Sequence, residues 1–96
     1  MTLGRVVGTV VATQKDPGLQ GFKLQIVQNV DMETMEPGSG FVVAVDAVGA
    51  GEGEMVLCCG GSSARMTGTT EERPVDAVVV AIVDSAELRG KLVYEK

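Results

Sequence analysis

The chain has 96 residues, the length of one domain, and 8 basic against 13 acidic residues leave a net charge of −5. Such a surface repels phosphate backbones, so nucleic acid is a poor partner, and the absence of histidine removes the commonest general base and metal ligand. Apolar residues reach 45% but aromatics only 3%, so the core must be assembled from valine and other small aliphatics, which favour strands.

Residues 4–13 read as the first strand, with Val6, Gly8, Val10 and Ala12 on one side and Val7, Thr9, Val11 and Thr13 on the other. Lys15-Asp16-Pro17-Gly18 ends it, because proline presets a turn dihedral and glycine tolerates positive φ. The second strand covers 22–30, where Leu24 and Ile26 alternate with Lys23 and Gln25, which predicts one wet face. Residues 31–40 are polar, close with Glu36-Pro37-Gly38-Ser39-Gly40 and read as a surface loop.

The third strand is expected at 41–45, the fourth at 54–59, and the fifth, the most apolar and so the most buried, at 75–83. One short helix of two turns or fewer is expected in Ser62-Ser63-Ala64-Arg65-Met66-Thr67-Gly68, with a serine cap before it and a glycine after it. The tail from Ser85 to Lys96 is compatible with a helical turn at Ala86-Glu87-Leu88-Arg89 or a last strand over 91–94. Five short strands and a brief helix predict a mainly β fold, a small closed OB-like barrel spanning residues 1–96 as one domain. Gly8, Ala12, Ala44, Ala77 and Ala81 suit its tight interior.

The stretch VDAVGAGEGEMVLCCGGSSAR, from Val45 to Arg65, has the look of a phosphate cradle but not its grammar. Glu54 stands where the last glycine of a dinucleotide fingerprint belongs, and a strand follows rather than a helix. Glu52 and Glu54 would repel a phosphate, and no Gly-Lys-Ser/Thr occurs. The glycines therefore serve a tight strand-to-strand connection, or such a connection that also lets another chain approach closely. Arg65 either offers its five-donor fork across such a contact or interacts with the last carbonyls of its own helix.

Cys58 and Cys59 are adjacent and point to opposite faces of a strand, where a disulfide would strain the peptide; a reduced, intracellular chain is the simpler reading. A metal or redox site would need further Cys or His. An enzyme would have to draw on Asp46, Asp76 and Asp84 as acids and on the two thiols as nucleophiles, without a histidine base to pair with them. The longest apolar run, 77–83, is too short to span a bilayer, and no secretory signal is visible, so a soluble cytoplasmic protein is expected.

Asp46-Ala47-Val48-Gly49-Ala50-Gly51-Glu52-Gly53-Glu54-Met55-Val56 followed by Gly61-Ser62-Ser63-Ala64-Arg65 resembles the paired signature of the EutN/CcmL family. The resemblance extends to Val7-Gly8-Thr9-Val10-Val11-Ala12-Thr13-Gln14-Lys15, to Leu19-Gln20-Gly21-Phe22-Lys23-Leu24, and to Pro74-Val75-Asp76-Ala77 near the end. These are the pentameric vertex proteins of bacterial microcompartments and carboxysomes. The resemblance implies an OB-like barrel assembling as a cyclic pentamer at the corners of a cytoplasmic shell, with hexameric shell proteins as further partners. It implies no turnover, catalytic residue, cofactor or metal, and no nucleic-acid or membrane partner. It places Lys15, Gly49, Ala50, Gly51, Glu52, Gly53, Glu54, Ser62, Ser63 and Arg65 at subunit contacts or near the ring axis. Cys58-Cys59 and the loop Met32-Glu33-Thr34-Met35-Glu36 depart from the family pattern. The alternative is a monomeric OB-like barrel that acts as a protein- or ligand-binding module.

Overall fold

The structure, a computed structural model, describes residues 1–68, 70 and 75–96, with Ser63 and Arg65 described by their backbone alone. Five strands form a closed barrel in the order β1-β2-β3-β5-β4: β1 Thr2–Val10, β2 Leu24–Val30, β3 Pro37–Asp46, β4 Met55–Gly60 and β5 Ala77–Ile82. All barrel pairs are antiparallel except β3 with β5, where Val45 opposes Val78 and Asp46 opposes Val79. The expected mainly β, OB-like barrel is thus present.

Valine supplies most of the filling. Val6, Val27, Val56 and Val79 meet Ala44, Ala50, Cys58 and Ala77 inside the barrel. The wall is tight enough that β1 needs a bare backbone where it crosses β2: a Cβ on Gly4 would collide with Val27 and with the Gln28 carbonyl oxygen. A bulge between Val6 and Gly8 then bends β1 around the barrel.

A second apolar cluster lies outside the wall. Val45 and Val78 point away from the interior and are covered by Ala64 and Val75, with Leu19, Phe22 and Ala47 packed against them. Strand alternation explains the division, because Ala44 and Val45, Val79 and Val78, and Cys58 and Cys59 must face opposite ways.

Several boundaries differ from the sequence reading. β1 stops at Val10, and the connection after it makes a 3-10 turn at Pro17–Leu19, capped by Asp16, whose Oδ1 accepts from the Gly18 amide at 2.7 Å. β3 begins at Pro37 inside the expected loop; proline suits a first strand residue because it has no amide to offer the ladder. The short helix is a 3-10 segment, Gly61–Arg65, rather than one running to residue 68. The tail resolves to a hairpin, β6 Ser85–Leu88 and β7 Lys91–Glu95. Arg89 and Gly90 turn it with φ of 53° and 77°, the primed geometry that matches strand twist. Pro74, part of the resemblance, lies outside the described residues.

The wet face expected for β2 is reversed. Gln25 is fully buried inside the barrel, whereas Leu24 and Ile26 face outward and are half-buried. The alternation was real, but its phase is set by the interior partners that Gln25 finds.

Candidate subunit-contact site

The loop from Ala47 to Glu54 connects β3 to β4 across one end of the barrel. Asp46 holds its root: the amides of Val48 and Gly49 both donate to Oδ1 at 2.9 Å. From inside the barrel, Gln25 Nε2 donates to the Ala50 carbonyl oxygen at 2.7 Å and to Asp46 Oδ2 at 3.3 Å. Ala50 itself plugs the interior at 1% exposure. Burial pushes the Asp46 carboxyl up, but hydrogen bonds from Val48, Ala50, Gln25 and Gly49 outweigh it, and its pKa lies below the ordinary value.

The far end of the loop is tied to β1 and to the tail. The Gly51 amide donates to Glu54 Oε1 at 2.6 Å, and the Glu54 amide returns to the Gly51 carbonyl oxygen at 3.2 Å. The Gly53 amide donates to the Val6 carbonyl oxygen at 2.8 Å, and the Val6 amide to that of Glu54 at 3.0 Å. Arg5 Nη1 reaches the Gly53 carbonyl oxygen at 2.6 Å and its guanidinium lies 5.8 Å from the Tyr94 ring centroid. Lys96 Nζ donates to Glu54 Oε2 at 2.9 Å. That bond, followed by the one from the Gly51 amide, holds the Glu54 carboxyl below its ordinary pKa.

These bonds decide the chemistry of the loop. A phosphate cradle needs several backbone amides aimed at one point in solvent. Here the amides of Val48, Gly49, Gly51, Gly53 and Glu54 are all spent on acceptors within the chain. What the loop offers outward is a rigid, side-chain-poor surface carrying exposed Val48, Gly49, Glu52 and Gly53.

The second cluster gathers the other segments singled out by sequence. Leu19 and Phe22 bring in the connection after β1, Ala47 the root of the glycine loop, and Ala64 the Gly61–Arg65 segment. Thr70 secures that segment by donating from Oγ1 to the Ala64 carbonyl oxygen. Ser62 is exposed there, whereas the side chains of Ser63 and Arg65 lie outside the described residues. Lys15 caps its own connection, donating to the Ala12 carbonyl oxygen at 3.1 Å. The outer cluster thus joins the roots of three of these segments, whereas Gly53 and Glu54 lie against β1 and the tail and Ala50 points into its own barrel. Sequence reasoning missed Gln25 and Arg5, since neither a buried amide nor a cross-strand guanidinium carries a motif.

Burial, and then the neighbouring Cys59, push the Cys58 thiol up to about 11, away from the thiolate a nucleophile requires. Cys59 packs on the outer cluster. Among the described residues, no group of three His, Cys, Asp or Glu could hold a metal ion, and no helix is long and apolar enough to cross a membrane.

A closed five-stranded barrel with a braced, side-chain-poor loop defines a small β-barrel module. The family described as "Ethanolamine utilisation protein EutN/carboxysome" matches residues 1–84, and this chain belongs to it. The chain is 48% identical over 96 residues to the carboxysome shell vertex protein CcmL of Nostoc sp., covering 100% of this chain and 95% of that one. Against the bacterial microcompartment shell vertex protein PduN of Salmonella typhimurium it is 50% identical over 88 residues, covering 88% and 97%. The solved structure of Gloeobacter violaceus CcmL superposes with a TM-score of 0.94 at 45% identity, over 100% of this chain and 98% of that one. The GrpN pentameric microcompartment shell protein from Rhodospirillum rubrum does so with 0.83 at 44%, over 92% and 99%.

Proposed function

We propose that this chain is a structural shell protein, five copies of which form a closed ring that caps the vertices of a bacterial microcompartment. The observation that carries the reading is the near full-length likeness, in sequence and in fold, to proteins described as shell vertex proteins, one of them as pentameric. The protein works by shape and contact and has no turnover, consistent with a raised Cys58 pKa and loop amides spent on internal acceptors. Its partners are further copies of itself and the hexameric proteins of the facets, in a shell that lies in the cytoplasm.

In this reading the exposed loop residues Gly49, Glu52 and Gly53, with Gly51 and Glu54 behind them, face a neighbouring copy. Lys15, Ser62, Ser63 and Arg65 flank that contact, and Ala50 supports it from within. A head-to-tail contact whose rotation closes gives a ring rather than a fibre. The likeness to shell vertex proteins does not favour the monomeric binding module. The test is mass in solution: light scattering over a concentration series should give about five times the 10.0 kDa chain mass. A protein that stays monomeric at the highest concentrations rejects the reading.

A further inference from the structure

The β6–β7 hairpin shares no ladder with the barrel, yet two lines of side-chain contact lead from the tail to the glycine loop. The first passes through a single carboxylate. Lys96 Nζ donates to Glu54 Oε2 at 2.9 Å, and the Gly51 amide donates to Oε1 of the same group at 2.6 Å. The Lys96 amide also donates to the Asp84 carbonyl oxygen at 2.8 Å, so the cation is fixed at the base of the hairpin. The second line passes through Arg5, whose guanidinium lies over the Tyr94 ring of β7 and reaches the Gly53 carbonyl oxygen. The two ends of the loop are therefore held differently. Val48 and Gly49 hang from Asp46, and the Ala50 carbonyl from Gln25, all of them anchored in the barrel. At the far end, main-chain bonds to Val6 stand beside two side-chain ties, Glu54 to Gly51 and Arg5 to Gly53, and the tail engages both of those side chains.

We propose that the hairpin is a latch on the Gly51–Glu54 half of the loop. Seated, it fixes Glu54 and Arg5, which position that half; lifted, it frees them, while Asp46 and Gln25 keep the Val48–Ala50 half in place. Two strands without further partners are marginal in water, and elements with few tethers open before the core does. The hairpin is therefore the element whose opening is cheap enough to serve as a control. The latch is a property of the single chain, and its effect on assembly rests on the ring reading above. In a ring, a loosened loop must be ordered again on association, and that ordering lowers affinity. A change of charge at Lys96, or a partner that draws the hairpin away, thus reaches the subunit contact through Glu54 and Arg5.

The test is hydrogen exchange of the Gly51 amide in the full chain, followed by NMR, with the Val48 and Gly49 amides of the same loop as internal reference. Wild type, Lys96→Met and Gly90→Val are compared at a concentration where sedimentation gives all three the same mass. Lys96→Met removes the ionic tie and keeps the apolar stem. Gly90→Val acts from a distance: it strains the hairpin turn at φ 77°, and a Cβ there meets nothing within 4 Å. Both variants should speed Gly51 exchange at least ~5-fold relative to Val48 and Gly49. If Gly90→Val does not fold, Tyr94→Leu carries the same expectation. Unchanged Gly51 exchange in a folded variant whose hairpin amides exchange faster overturns the latch. Equal acceleration at Gly51, Val48 and Gly49 also overturns it, since the loop would then open as one piece. Sedimentation of the wild type judges the ring separately: a monomer rejects the ring reading and leaves the exchange test intact. Given a ring, Lys96→Met should dissociate about 3-fold or more readily, and an equally stable ring with fast Gly51 exchange overturns the link to assembly.

Discussion

Asp46 and Gln25 brace the glycine loop from both sides of the barrel wall. Asp46 carries the larger share of the hydrogen bonds, and its carboxyl is held below its ordinary value of 3.8. A lowered pKa means that the ionised carboxyl stabilises the folded state above pH 3.8, and that this contribution fades as pH falls through the lower folded value. The difference in stability between wild type and Asp46→Asn, followed by urea denaturation, should therefore narrow as pH drops below about 4. A difference that stays flat from pH 7 to pH 3 would show that the loop does not depend on the charge. Gln25 poses a different balance. Its Nε2 is doubly used, yet its Oε1 has no hydrogen-bond partner among the described residues, which costs stability in a dry interior. What offsets that cost is the Ala50 carbonyl, which would otherwise be buried without a donor.

Among the elements, the β6–β7 hairpin stands apart from the barrel, paired only with itself. Two strands alone are marginal in water, so the hairpin depends on its turn and its tethers. Arg89 clasps Glu33 through both guanidinium arms, at 2.8 and 2.7 Å, joining the turn to the loop before β3. Both side chains are exposed, and solvent screening leaves a pair of that kind little to contribute. The turn matters more. Gly90 sits at φ 77°, where a β-branched side chain is strained by roughly 1–2 kcal/mol. Gly90→Val should speed amide exchange across residues 85–95 and leave the barrel strands as protected as before. Loss of protection throughout β1 to β5 would mean that hairpin and barrel fold as one unit.

The whole molecule combines a small valine-lined interior with a loop that spends its amides internally and turns a bare face outward. Gly51 separates the two roles. Its φ is ordinary, and an added Cβ would lie 3.4 Å from Glu54 Oε1, a contact the protomer tolerates. Gly51→Val should therefore cost the isolated fold less than ~1 kcal/mol yet weaken the ring about 10-fold or more. Arg65→Ala should act in the same direction. Sedimentation read beside thermal melting decides the matter. Variants that unfold the protomer while the surviving protein remains five-fold would show that the loop serves the fold and not the contact.

Composition and local pattern alone determined a good part of this protein. Valine richness, alternation and Pro-Gly punctuation were enough to place five barrel strands, because β propensity and turn chemistry act over a few neighbouring residues. The spacing of Gly49, Gly51, Gly53 and Glu54 was enough to argue against a phosphate site, because that chemistry demands a helix at a fixed offset. Four things waited for the tertiary structure: which face of β2 turns inward, where β3 begins, how the tail pairs, and what holds the glycine loop. Each depends on groups far apart in the chain, as when Ala50 supplies the acceptor that draws Gln25 inside. Alternation has a period of two and no sign, so a strand read by itself shows that it has two faces, and only its partners across space decide which of them becomes the core.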